Sequence, residues 1–260
     1  VRDSEVQDMI DPQELARRQT VRSLPKRFYS DVTTVEEDGM HSVRLDGSPA
    51  LTPARKRLAS PSAVIASAMA EEWESQRETI DPATMPVTRL ASTALDGVVQ
   101  QMAGVREAIL AYAGADLLLY RAGHPEELTE LQRQVWDPVI RWAEGRYAVR
   151  LLLAEGVTFV TQPAETLAAI GEALASVQDP FELTALHMAT TLTGSALLAL
   201  ALREGFLPGE DIWNAGNLDE DWNVRQWGED AEAAERRDRR HLDFKAAELV
   251  LGQGSSRLAP

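Results

Sequence analysis

At 260 residues the chain can bury most of the surface that its unfolded form would expose, as one large unit or two smaller ones. Its 41 Asp and Glu against 26 Lys and Arg leave a net charge of −15, the wrong sign for gripping nucleic acid phosphates or an anionic membrane surface. Cysteine is absent, which removes disulfides, thiolate nucleophiles and Cys-ligated zinc and suits a reducing cytoplasm.

The first residues, Val1 to about Ser23, are polar, with a modest helical signal where Asp11 can cap and Pro12 sit at the first helical position. They read as an amino-terminal arm over 1–24, and they lack the layout of a secretory or transit signal. If the chain is complete, it stays where it is made. A β-like stretch follows over 25–60: Phe28 to Glu36 is rich in Thr, Val and aromatics, Asp38-Gly39 marks a turn, His41 to Leu45 makes a second strand, and Asp46-Gly47 turns into a third at Ala50–Thr52. Such a meander must pack on something to persist.

Ser60-Pro61-Ser62 breaks the chain and can cap a helix on which Ile65, Met69 and Trp73 recur every four residues. Pro82 and Pro86 then form a stiff elbow, since each disfavours helical geometry at the residue before it. Trp73 is expected to bolt the two sides of that elbow together rather than to touch a partner. From Pro86 the positions Leu90, Leu95, Val98, Met102, Val105, Ile109 and Tyr112 keep helical spacing for over seven turns, up to Gly114. A further helix starts near Pro125, with a kink or restart at Trp136-Asp137-Pro138, and Val149 to Thr161 reads as a β-run.

Pro163 opens a helix that ends near Val177, and Asp179-Pro180 caps the next. Leu183 to Leu202 carries no formal charge, yet its Thr residues, His187 and Gly194-Ser195 make it a buried central helix broken near Gly194 rather than a membrane span. Past Pro208 the chain is acidic and interleaved with Trp213, Trp222 and Trp227. An Arg-rich run follows, then an amphipathic turn or two from Leu242 to Leu251 and a tail at 252–260. The fold class that results is α+β: a small N-terminal antiparallel β domain, then a larger helical domain over 61–251.

No phosphate loop, nucleophile elbow or paired-His zinc motif is present. The four His residues have no ligand-like spacing, and His187 reads as a hydrogen-bonded core residue. No catalytic residue, metal ligand or cofactor is assigned. The carboxylates at 219–221 and 229–232 admit three readings: a solvated face, a metal-dependent hydrolytic site, or an interaction surface in which Trp222 and Trp227 anchor beside a polar rim.

An ordered set of short motifs resembles one family, the assembly chaperones for the α subunit of the F-type ATP synthase, called ATP synthase assembly factor 2 in mitochondria. The set begins with Lys26-Arg27-Phe28-Tyr29, Leu45-Asp46-Gly47, Thr52-Pro53, Glu72-Trp73 and Gln76. It continues through Pro82, Met85-Pro86, Thr88-Arg89-Leu90, Asp96, Asp116-Leu117-Leu118, Gln132, Trp136-Asp137-Pro138, Trp142 and Trp227-Gly228. Each motif is weak alone, and together they span most of the chain. The resemblance implies a monomeric, non-enzymatic chaperone that needs no cofactor. It would be cytoplasmic in bacteria and in the mitochondrial matrix of eukaryotes. It would hold the unassembled α subunit and shield the surface later covered by the β subunit. It further implies a functional acid just after Trp227-Gly228, for which Glu229 and Glu232 are both candidates, beside Asp230, Trp222 and Trp227. The alternatives are an acidic scaffold for another partner and a carboxylate-based metal-dependent hydrolase.

Overall fold

The computed structural model describes residues 24–156 and 160–255; the expected amino-terminal arm lies almost wholly outside them. The fold is α+β. Strand β1 (Val32–Glu37) pairs antiparallel with β2 (Met40–Leu45), Val32 opposite Leu45 and Glu37 opposite Met40. Asp38 and Gly39 both take positive φ, at 54° and 72°, the backbone that a two-residue hairpin needs for its twist to match the strands. On the other edge of β2 lie β3 (Ser48–Pro49) and β4 (Ala59–Ser60).

The strand boundaries correct the sequence reading. Phe28 to Asp31 lies outside the ladder, because the Asp46 carboxylate takes the N–H groups of Ser30 and Asp31 at 3.0 and 2.8 Å; those two bonds also hold its pKa below the usual carboxylate range. Ala50–Thr52 is not a third strand either. Its loop is tied to the helices, since Asp96 accepts from Thr52 Oγ1 at 2.7 Å and from Ala54 N at 3.0 Å.

Helix α1 (Ala63–Ser75) starts at the Ser62 cap and lies across β1 and β2 with Ile65 and Met69 buried. The chain then passes through a short 3-10 turn at Pro82–Thr84 into α2 (Pro86–Thr93). The long helix expected from Pro86 is interrupted after two turns: a π-helical segment spans Ala94–Val98 before α3 (Val99–Gly114). The widened turn contains both residues that hold the 52–56 loop, Asp96 by its carboxylate and Leu95 by its carbonyl, which accepts from Lys56 Nζ. An insertion of this kind re-aims a helix face without ending the helix.

Two-residue strands β5 (Tyr120–Arg121) and β6 (Ala154–Glu155) pair in parallel, and that is all that remains of the expected β-run among the described residues; 157–159 lie outside them. The backbone of Leu152 instead donates to and accepts from the Gln162 side-chain amide at 2.9 and 2.8 Å. Helix α4 (Glu126–Tyr147) runs unbroken through Pro138, where a kink or restart was expected. A proline inside a helix costs about 3 kcal/mol, but the adjacent turn is anchored: Trp136 is buried with Nε1 donating to Ala215 O at 2.9 Å, and Asp137 accepts from Arg121 at 2.8 Å.

Next come α5 (Ala164–Ala175), α6 (Pro180–Thr193) and α7 (Ala196–Arg203). Gly194, at φ 70°, breaks the uncharged stretch as its sequence suggested. Leu183, Leu186, Leu197 and Leu200 from these two helices sit at the centre of one continuous core that runs from Tyr29 to Leu251. Helices α8 (Gly209–Gly216), α9 (Leu218–Trp227) and α10 (Ala231–Ser255) complete the chain. The last of these is far longer than the expected turn or two. Its exposed first half is laced by Glu232–Arg236 and Glu235–Arg239 pairs one turn apart, and its second half buries Phe244, Ala247 and Leu251. Among the described residues no helix is long and apolar enough to cross a membrane.

Candidate functional site

The residues that carry the resemblance fall into two groups. Most are internal fastenings. The Glu72 carboxylate on α1 accepts from Val87 N and Thr88 N, each at 2.7 Å, and so caps α2 across the elbow. Burial pushes the Glu72 carboxyl above its usual range, with the Thr88 and Val87 bonds and the Arg89 charge acting against that shift. Gln76 accepts from Asp81 N at 2.7 Å and donates to Glu72 O at 3.0 Å. Tyr29 Oη donates to Trp73 O at 2.6 Å, with the two rings edge to face at 5.6 Å. Arg27 stacks on the Tyr29 ring and donates to the carbonyls of Glu74 and Tyr29. Gln132 accepts from Ala122 N and donates to Asp219, both at 2.8 Å.

Asp116 belongs with these fastenings. It is wholly buried, accepts from Leu118 N at 3.1 Å and Leu197 N at 3.0 Å, and so joins the turn after α3 to the start of α7. Burial raises its pKa to about 6, against the pull of the Ser195 hydroxyl and the Leu197 amide. His187, half-buried on α6, makes no hydrogen bond among the described residues, contrary to expectation; burial lowers its pKa.

The second group faces outward. Trp227 ends α9 with 86 % of its surface exposed, where a large apolar side chain has no packing reason to be. Gly228 follows at φ 88°, a left-handed backbone open to glycine, and turns the chain into α10. Glu229, Asp230 and Glu232 are all exposed at that corner. Asp230 caps α10 by accepting from Ala233 N at 2.9 Å, and Glu232 pairs with Arg236 at 2.6 Å. Glu229 makes no hydrogen bond or ion pair among the described residues and only adds to the field at Arg237. Trp222, more than one turn earlier on α9, is half-buried.

The neighbouring acids are each engaged by a residue of another helix. Asp219 is bound by Gln132, Glu220 faces Arg240 at 3.5 Å, and Asp221 pairs with Arg237, so all three brace α9 against α4 and α10. Among the described residues no group of three or more His, Cys, Asp or Glu is arranged to hold a metal ion.

A third feature gathers residues that the motif set named only one by one, Thr52-Pro53, Trp73, Pro82, Met85 and Thr88-Arg89. A cleft of about 540 Å3 opens at the elbow, lined by the loop at Leu51–Pro53, by Trp73, by the Pro82–Thr84 turn with Met85, by Arg89 and Ser92 of α2, and by Met188 of α6. Met188 is distant in sequence, and nothing in its own neighbourhood points to this place.

Comparison with known proteins gives concordant findings. The sequence model described as ATP12 chaperone protein matches residues 26–144. The crystal structure of a candidate chaperone from Agrobacterium tumefaciens is 46% identical and superposes with a TM-score of 0.84 over 94% of this chain and 92% of that one. Atp12 from Paracoccus denitrificans is 36% identical, with a TM-score of 0.81 over 88% of this chain and 98% of that chain. A variant of the Paracoccus protein with one aspartate replaced by lysine gives a TM-score of 0.80 over the same spans.

Proposed function

Because the chain belongs to the ATP12 chaperone family, and so to the assembly factors of ATP synthase, we propose that its client is the unassembled α subunit of the F-type head. It would hold that subunit's β-facing surface until β replaces it. An orphaned subunit interface is a large apolar patch that associates wrongly when left open, and shielding it takes a complementary surface without turnover. We take the working form to be a monomer in the bacterial cytoplasm that needs no cofactor.

The observation that supports a contact site is Trp227: an indole 86 % exposed, next to the unengaged Glu229. A large aromatic anchor inside a polar rim is the anatomy of an interface hot spot. We assign client contact to Trp227, Glu229, Asp230 and Glu232, with Trp222 behind them, and treat Trp73, Pro82 and Pro86 as parts of the frame. The hydrolase alternative loses ground because Asp219, Glu220 and Asp221 are each spent on a partner from another helix. A tagged copy pulled from the native cytoplasm should bring down α without β. Recovery of a different partner, or of α and β together, would favour the scaffold alternative.

A further inference from the structure

Strand β1 forms an edge of the front sheet, and its backbone shows which way the free groups point. Val43, in the middle of β2, donates its N–H to Leu58 O at 3.1 Å and accepts from Ala50 N at 2.8 Å, both on the side away from β1. Val43 stands opposite Thr34, so that pair exchanges no hydrogen bond between β1 and β2. By antiparallel alternation neither do the pairs Val32–Leu45 and Glu36–His41. The N–H and C=O groups of Val32, Thr34 and Glu36 therefore point to the outer side of β1, and among the described residues no hydrogen bond takes them up. Thr34 and Glu36 are exposed and Val32 is half-buried. The opposite edge of β2 is covered by β3 and β4. Open edges are commonly guarded by a proline, a charge or a bulge. Val32–Val35 contains no proline and no charged residue, and its register with β2 is unbroken.

We propose that the outer edge of β1 receives an extended segment of the polypeptide held by the chaperone, which adds to the front sheet as a further strand through Val32, Thr34 and Glu36. The inference rests on the assembly-chaperone reading above and adds a contact on the β-bearing front, apart from the corner at Trp227. Donors and acceptors that alternate along a strand are matched by another extended main chain, whereas an anion brings acceptors alone. Charge indicates which segment fits. Asp31 and Glu36 flank the uncharged middle of the edge; both are exposed, and neither carboxylate makes a hydrogen bond or ion pair among the described residues. The third acid, Glu37, is shared by Arg44 and Arg57. An incoming strand with an uncharged centre and Lys or Arg at its ends is complementary to that pattern. A second copy of this chain is not: in the register that joins all three open residues it would set its own Glu36 opposite Val32 and its Glu37 opposite Asp31, at both ends, and each copy carries a net charge of −15.

The test uses the full-length protein and the isolated α subunit of its own ATP synthase as probe. Amide hydrogen exchange is read residue by residue in the free protein and in the complex, and capture is measured by titration. The expected result is an alternating pattern: exchange at Val32, Thr34 and Glu36 slows at least tenfold in the complex, while Thr33, Val35 and Glu37, already bonded to β2, change little. Thr34→Pro removes an N–H that bonds nothing within the fold and should weaken capture at least fivefold, with thermal melting as the check on folding. If α is captured but the three outward amides exchange as fast as in the free protein, the proposal is overturned and the chaperone reading stands. Wild-type protein that captures no α defeats that reading, and this one with it. Protection of the three amides in the protein alone also overturns the proposal: at doubled sedimentation mass the edge holds a second copy, and at monomer mass it holds residues 1–23 of the same chain. Should Thr34→Pro fail to fold, the exchange pattern decides the question.

Discussion

The Glu72 carboxylate on α1 and the Thr88 amide on α2 meet at 2.7 Å across the elbow, so the turn between the β-bearing front and the helical rear is clamped by a charge-assisted bond as well as stiffened by its prolines. Val87 N shares the same carboxylate. Replacing Glu72 with Ala leaves two amides of a helix N-terminus without their acceptor, both on buried residues. The expected loss is about 2–3 kcal/mol, read as a fall in Tm of several degrees. Unchanged melting of Glu72→Ala would show that the two amides find another acceptor.

Asp116 gives a pH signature of a particular sign. Its folded pKa is raised, to about 6 against an ordinary value of 3.8, so between those values the folded state binds more protons than the unfolded one. Its contribution to stability therefore grows as pH falls through 6 toward 4 and is lost as pH rises, by about 3 kcal/mol over the window. In chemical denaturation, the difference in stability between wild type and Asp116→Asn should move in the wild type's favour on going from pH 7 to pH 4. A difference that stays flat with pH would mean that Asp116 titrates as an exposed acid.

Two glycines in α8 should behave oppositely. A methyl group at Gly216 would lie 2.8 Å from Thr193 Cβ and 3.1 Å from its Cα, against backbone that cannot swing away. At Gly209 the clash is with the Glu248 carboxylate, the far end of a flexible side chain. Gly216→Ala should cost about 1–3 kcal/mol, whereas Gly209→Ala should melt close to wild type. Equal melting points for the two would show that α6 and α8 are not packed this tightly.

Charge reversal at the corner after Trp227 separates binding from folding. Glu229 and Glu232 are exposed, and among the described residues their one hydrogen bond or ion pair is that of Glu232 with Arg236 within α10, Glu229 adding only to the field at Arg237. Glu229→Lys with Glu232→Lys should leave Tm within a degree or two of wild type and weaken capture of the α subunit. The loss should fall mainly on the association rate and should shrink as salt is raised. Full capture by the double variant would remove the acids from the interface.

What could be read from the chain follows from where each signal is local. The Asp38-Gly39 hairpin, the Ser62 and Asp179 caps and the break at Gly194 each depend on a few adjacent residues, and each is where the sequence put it. The misreadings share a cause in long-range bonding. Pro138 sits inside a helix because Trp136 and Asp137 are fastened to distant elements, and the π-helical segment contains Asp96 and Leu95, whose partners lie in a loop about forty residues away. The Arg-rich start of α10 has no apolar period to announce it, being held by side-chain pairs one turn apart. The motifs that carried the resemblance are conspicuous largely because they are fastenings. Trp227 stands out differently: in sequence it looks like the other tryptophans of the acidic stretch, and only its exposure separates it from Trp213, which is buried against Phe244.

The central claim, that this protein occupies the α-subunit surface later taken by β, is tested most directly by forming its complex with isolated α on a sizing column and adding purified β. The account predicts a one-to-one complex with α that β dissolves, releasing free chaperone as α and β coelute. A stable species containing all three proteins, or no complex with α at all, would contradict it.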